Sequence, residues 1–109
     1  MLGHSWEAFI IEQVFSIFKN EYDSYYYRSQ DGAECDIVLT KADRPIACVE
    51  IKFTSTPKST RSLTTAIQDL GTKHNYIIIP ECIDPYPINT QLTVCNIYQF
   101  IEKINQLQA

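Results

Sequence analysis

Four side chains in this sequence have the types and spacing for phosphoryl chemistry: Glu7, Asp36, Glu50 and Lys52. Glu50 and Lys52 flank Ile51, so in an extended strand both point to one face with Cys48, while Val49, Ile51 and Phe53 point to the other. Asp36 belongs to a preceding strand-like run, Glu34 to Thr40, in which Glu34, Asp36 and Val38 share a face. The polar stretch Lys41-Ala42-Asp43-Arg44 reads as the hairpin connection. Pairing Thr40 with Ile46 leaves a five-residue loop and sets Asp36 opposite Glu50, and Glu34 opposite Lys52. Two carboxylates so placed lie about 5 Å apart at Cβ and repel unless a cation sits between them.

A hard cation, Mg²⁺ or Mn²⁺, answers that repulsion, because it takes carboxylate and carbonyl oxygens and keeps several waters. Asp36, Glu50 and the backbone carbonyl of Ile51 are the expected protein ligands. The chemistry is then hydrolysis of a phosphodiester by an activated water, with Lys52 orienting that water or offsetting transition-state charge. Glu7 is expected to complete the ligand shell, hold a water or help bind a second ion. Each residue alone also has an ordinary explanation: Glu-x-Lys as an edge ion pair, Asp36 as a solvated hairpin residue, Glu7 as a snorkelling border residue. A metal-free cluster in which Glu34 pairs with Lys52 is the alternative for the set.

The elements that must position these groups are legible from periodicity. Trp6, Phe9, Ile10, Val14, Ile17 and Phe18 recur at helical spacing over residues 5–20, with Ser5 as the expected cap. With the stripe centred near Ile10, Glu7 falls on its buried side and Glu12 opposite. Tyr25-Tyr26-Tyr27-Arg28 reads as a strand and Gln30-Asp31-Gly32 as a turn. Strands follow at 34–40 and 45–53, then a Ser/Thr/Pro-rich loop at 54–60. A helix from Arg61 ends near Gly71, and a strand buried on both faces covers Tyr76 to Pro80. A loop carries Pro85 and Pro87, a strand runs from Leu92 to Cys95, and Ile97, Phe100, Ile101, Ile104 and Leu107 mark a terminal helix. The expected order is α-β-β-β-α-β-β-α, an α/β (α+β mixed-sheet) domain over 1–109 with helices on both sides of a central sheet.

Composition narrows the function classes. At 109 residues the chain has room for one core. Its net charge of −4 argues against coating of nucleic acid by bulk positive charge, although bound divalent cations reverse the sign locally. Three glycines and no Gly-x-x-x-x-Gly-Lys-Ser/Thr exclude a P-loop. No apolar run is long enough for a membrane span, and the expected location is cytoplasmic. Cys35, Cys48, Cys82 and Cys95 form no Cys-x-x-Cys pair and read as buried thiols. Lys58, Arg61 and Lys73 are candidate phosphate contacts, although each taken singly is more often an ordinary surface charge. Tyr25 to Tyr27 are candidate base-stacking residues or cross-strand packing.

Trp6-Glu7-Ala8-Phe9, Glu34-Cys35-Asp36-Ile37-Val38 and Val49-Glu50-Ile51-Lys52 resemble the PD-(D/E)XK phosphodiesterase superfamily, in which a helix Glu precedes a hairpin carrying Asp and then (D/E)-x-Lys. A closer resemblance is to the nuclease-like C-terminal domain of bacterial and archaeal AAA-type ATPases. Tyr26-Tyr27-Arg28, Gly32-Ala33-Glu34-Cys35-Asp36, Glu50-Ile51-Lys52, Tyr76 to Pro80 and Tyr98-Gln99-Phe100-Ile101 match it in order. The resemblance implies a restriction-endonuclease-like core and a Mg²⁺-dependent nuclease acting on DNA. The ATPase module that precedes the domain in those proteins is not in this sequence, which implies a stand-alone protein, an excised domain or a shortened product. Because fold does not imply function, two other readings stand: a silent module that binds nucleic acid or an ATPase partner, and a structural homodimer.

Overall fold

β-branched runs and three amphipathic segments assemble here as one mixed sheet covered by helices on both faces. The computed structural model describes residues 2–107; residues 1, 108 and 109 of the expected domain lie outside it. Helix α1 (Leu2–Phe18) leads into strands β1 (Asp23–Arg28), β2 (Glu34–Lys41) and β3 (Arg44–Ile51). Helix α2 (Arg61–Leu70) crosses over to β4 (His74–Ile78), and β5 (Tyr86–Pro87), β6 (Leu92–Cys95) and α3 (Ile97–Gln106) follow. The strand order is β1-β2-β3-β4-β6-β5. The first three strands are antiparallel, β3–β4 and β4–β6 are parallel, and β5 returns antiparallel to β6.

Side-chain alternation divides the interior in two. Ile37, Leu39, Val49, Ile51, Tyr76 and Ile78 pack against α1 and α3 through Ile10, Val14, Phe18, Phe100 and Ile104. On the other face, Val38, Cys48, Ile77, Ile79 and Val94 meet Leu63, Ala66 and Ile67 of α2. Strand β4 feeds both cores on alternate residues, which explains its unbroken apolar run. Helix α2 ends at Gly71, at φ 67°, as expected, and the Thr60 hydroxyl accepts from the Leu63 N–H to start it. Asn96 and Gln99 form a reciprocal capping box on α3. Among the described residues no helix is long and apolar enough to cross a membrane.

Three expectations are corrected. Helix α1 starts at Leu2, so Ser5 lies inside it rather than at its cap. Its buried stripe is Ile10, Val14 and Phe18, centred on Val14, whereas Phe9 and Ile17 are 55% and 43% exposed. The seven steps from Glu7 to Val14 turn the helix almost twice, which places Glu7 within about 20° of the stripe's centre. The Pro-containing loop holds a short edge strand, β5, pairing Tyr86 with Val94 and Pro87 with Thr93. An edge tolerates Pro87 because no further strand needs its missing N–H.

The β2–β3 connection is also tighter than a five-residue loop. Ile37, Val38 and Leu39 pair with Val49, Cys48 and Ala47 in the expected register, but the pairing then shifts by one to Thr40–Pro45 and Lys41–Arg44. The extra residue is absorbed as a bulge, and only Ala42 and Asp43 remain in the turn, at φ 52° and 64°. Two central residues with positive φ are the requirement of a type I′ hairpin, which Asn-Gly meets far better than Ala-Asp. Replacing Ala42-Asp43 by Asn-Gly is therefore expected to stabilise the protein by about 1 kcal/mol, or roughly 4–8 °C in Tm. Thermal unfolding followed by circular dichroism checks this; no gain would contradict the turn assignment.

Candidate functional site

Strand β2 changes character where it reaches Asp36. Against β1, Tyr25 pairs with Val38 but Tyr27 pairs with Cys35, so β2 spends three steps where β1 spends two. The bulge reverses the face presented by the start of the strand: Cys35 packs in the same core as Val38. Simple alternation of Glu34, Asp36 and Val38 on one face therefore fails. Glu34 turns to β1, where it accepts from the Tyr26 hydroxyl at 2.5 Å and lies 4.0 Å from Arg28. The expected Glu34–Lys52 pairing does not form.

The same bulge leaves β3 without a backbone acceptor on its β2 side, and the Asp36 carboxylate fills the place. Its Oδ2 accepts from the Ile51 N–H at 2.8 Å, while the next N–H, of Lys52, goes the other way to the Ile78 carbonyl of β4 at 2.9 Å. Because backbone groups of a strand alternate sides, the Ile51 carbonyl leaves β3 on the same side as its N–H, toward Asp36.

Glu50 is only 7% exposed and shares this corner. Burial, reinforced by the charge of Asp36 and by a hydrogen bond to its carboxylate, pushes the Glu50 carboxyl up to about 8, with Lys52 acting weakly in the opposite sense. Lys Nζ of residue 52 stands 3.8 Å from Glu50 Oε2 and stays partly in solvent. Sequence reasoning thus found three residues that the structure does bring together: Asp36, Glu50 and Lys52.

Glu7 takes a different place. Its Oε2 accepts from the Phe53 N–H at 3.0 Å, one residue beyond Lys52. Phe53 in turn packs on Trp6, ring centroids 5.7 Å apart, and lies so near Gly3 that a Cβ there would meet its ring at 2.9 Å. Helix α1 therefore grips the backbone that leaves β3. Among the described residues no cluster of three His, Cys, Asp or Glu is close enough to hold a metal, and the Glu7 carboxylate is engaged by the Phe53 N–H. Phe53 carried no chemical signal in the sequence, and a contact between residues 7 and 53 has no local pattern that would reveal it.

The donor set fits a sparse divalent site. One Asp36 oxygen beyond the bonded Oδ2, the Glu50 carboxylate and the Ile51 carbonyl are oxygen donors of the kind Mg²⁺ or Mn²⁺ accepts alongside several waters. Burial is the first cause of the raised Glu50 carboxyl and the charge of Asp36 the second, and such an ion offsets both by favouring the ionised form. A hollow of about 340 Å³ opens beside this corner, lined by Phe53, Thr54, Ser55, Pro80 and Glu81 where β3 and β4 end. Another of about 510 Å³ lies between Phe53 and the start of α1. Phe53 borders both; the acidic pair lines neither.

The remaining candidates disperse. Lys58 and Arg61 are exposed on the loop after β3 and the first turn of α2. Lys73 precedes β4 beside Arg44, at the opposite end of the sheet from Lys52, which removes it from phosphate contact there. Tyr25 and Tyr26 are substantially exposed on the edge strand, while the Tyr27 hydroxyl donates to Asp69. Cys35, Cys48 and Cys95 are buried free thiols and Cys82 is half-buried. The hydrogen bond to Cys48 and then burial push the Cys35 thiol up, and burial pushes Cys95 up to about 12, so neither is a nucleophile.

The sequence profile of a domain of unknown function (DUF4143) matches residues 2–100. A stretch of 79 residues, 72% of the chain, is 39% identical to an uncharacterized protein of Mycobacterium bovis and equally to one of Mycobacterium tuberculosis. That stretch is 18% of each relative, so the match spans less than a fifth of the curated relatives' length. No solved structure matches the chain.

A carboxyl raised from 4.5 to about 8 keeps its proton in the folded protein at pH values where the unfolded chain has released it. Metal-free stability is therefore expected to fall as pH rises through that window. Glu50→Gln, whose amide can donate to Asp36 as the protonated acid does, should remove this penalty. It should be more stable than wild type at about pH 8.5, by on the order of 2 kcal/mol, with the difference shrinking toward pH 5. Urea unfolding in chelator at several pH values measures this, and parallel wild-type and variant curves would contradict the raised carboxyl.

Proposed function

The chain belongs to the DUF4143 family of domains of unknown function, and from the site itself we propose that it is a metal-dependent phosphodiesterase domain acting on DNA. One observation carries the proposal: Asp36 and Glu50 are crowded at the bulged end of the β2–β3 pairing with the ammonium of Lys52 beside them. The helix-first order, the antiparallel β1-β2-β3 run and the β3–α2–β4 crossover support a restriction-endonuclease-like core and membership of the PD-(D/E)XK superfamily. The position also suits a reacting group, since β3 and β4 are parallel and ligands of such sheets bind beyond the carboxyl ends of the strands.

Asp36, Glu50 and the Ile51 carbonyl would hold Mg²⁺ or Mn²⁺, which when bound supplies Lewis-acid polarisation of a phosphate and a lowered pKa for water. The chain's own groups do the rest. Asp36 is locked by the Ile51 N–H, so its free oxygen keeps one direction. Glu50, buried against Asp36, is the group whose proton must leave before the site can carry a cation. Lys52 offers a mobile positive charge, 3.8 Å from Glu50, that can turn to a phosphate oxygen. Glu7 positions Lys52 by fixing the next peptide through the Phe53 N–H.

The Glu50–Lys52 contact also favours a second reading, in which the cluster is neutralised internally and the domain binds nucleic acid or an ATPase partner without cleaving. Incubation with plasmid, linear and single-stranded DNA in Mg²⁺ or Mn²⁺ separates the two. Cleavage by wild type is expected to fall by about 10²-fold or more in Glu50→Ala and Lys52→Ala, and wild-type inactivity or undiminished variants would refute the phosphodiesterase. Glu7→Gln is expected to lower kcat by about tenfold while leaving Mn²⁺ affinity unchanged, since it positions rather than ligates. A loss of metal affinity in that variant would return Glu7 to the ligand shell.

A further inference from the structure

At the far end of the sheet, the first residues of β3 and β4 lie side by side, with Ala47 paired to His74. Between them is a hollow of about 290 Å³ lined by Arg44, Pro45, Ile46, Gly71, Lys73 and His74. Three of its six lining residues carry basic side chains and none is acidic, in a chain of net charge −4. Asp43 precedes Arg44 in the turn but does not line the hollow. Among the described residues, neither Arg44 nor Lys73 has a carboxylate within ion-pair distance. We propose that this hollow binds a phosphate-type oxyanion, at a site separate from the acidic pair: Arg44 is six residues from Glu50 along β3, or about 20 Å.

The backbone under the hollow is fixed in advance. Gly71 ends α2 in the left-handed conformation with its N–H on the Ile67 carbonyl. The buried Asn75 side chain then ties the following residues down. Its Oδ1 accepts from the Thr72 hydroxyl at 2.6 Å and from the Cys48 N–H at 3.4 Å, and its Nδ2 donates to the carbonyls of Thr72 and Gln91. Lys73 and His74 are thus mounted between two anchored residues, and Cys48 N–H carries the same anchor to β3, four residues after Arg44. A guanidinium fork, an ammonium and an imidazole lining one hollow suit an anion with several acceptor oxygens better than a single carboxylate.

The test is a titration of the full chain with inorganic phosphate, at constant ionic strength set with chloride, followed by amide and side-chain NMR shifts. A parallel arm uses a short single-stranded oligonucleotide. The expected result is saturable shifts confined to the neighbourhood of Arg44, Gly71, Lys73 and His74. Affinity should weaken by about tenfold or more in Arg44→Glu and in Lys73→Gln and be unchanged in Glu50→Gln. If the oligonucleotide shifts the same residues and phosphate competes with it, the natural source is a nucleic-acid backbone; if only phosphate does, it is a small phosphorylated molecule. Non-saturating shifts, or shifts centred on Lys52, would overturn the site.

Discussion

Two carboxylates held together at the edge of a hydrophobic core are the constraint around which this domain is organised. Asp36 and Glu50 sit where β2 leaves its regular pairing with β3, and each is fixed by something other than solvent. Asp36 takes the place of a missing strand carbonyl on the Ile51 N–H. Glu50 projects from the middle strand of the sheet beside Cys48, whose face is sealed by α2. Neither can swing away without breaking a ladder bond or opening a core. The crowding is therefore built in, and the Glu50 carboxyl is raised first by its burial and then by the charge of Asp36. Buried like charges persist at functional sites because the surrounding packing overrides their local cost.

The rest of the architecture acts on this corner from three directions. From β4, the Ile78 carbonyl holds the Lys52 N–H, continuing the parallel pairing one residue beyond the strand. From α1, Glu7 and Trp6 hold Phe53 by its N–H and its ring. From β1, Tyr26 and Arg28 draw Glu34 outward, keeping a third carboxylate away from the pair. The outcome is a short stretch at and just beyond the end of β3, from Ile51 to Phe53, whose consecutive N–H groups go to Asp36, Ile78 and Glu7 in turn. A segment fixed so thoroughly suits groups that must be positioned to within a fraction of an ångström.

Much of this was legible in the sequence. Periodicity placed all three helices and the longer strands, and the 37–39 to 47–49 register of the central hairpin is the one expected from a five-residue loop, although the loop itself is shorter. That register sufficed to bring Asp36 to Glu50. What alternation cannot see is a bulge: the extra residue near Asp36 sent Glu34 to β1, and a second near Ile46 shortened the hairpin loop to Ala42-Asp43. Both depend on cross-strand geometry, not on residue type. The role of Glu7 was hidden for a related reason. Its helix stripe was centred about one-ninth of a turn away from the observed one, because Phe9 and Ile17 are apolar yet largely exposed. Lys73 was misplaced because sequence proximity to α2 says nothing about which end of the sheet a loop occupies.

The central claim is that the crowded pair is a cation site rather than a closed ion cluster, and calorimetric titration of the protein with Mn²⁺ tests it most directly. One ion should bind per chain in wild type, with affinity lost in Glu50→Gln and in Asp36→Asn and retained in Glu7→Gln. Absence of saturable Mn²⁺ binding in the folded wild-type protein, or equal binding by the Glu50 and Asp36 variants, would contradict it.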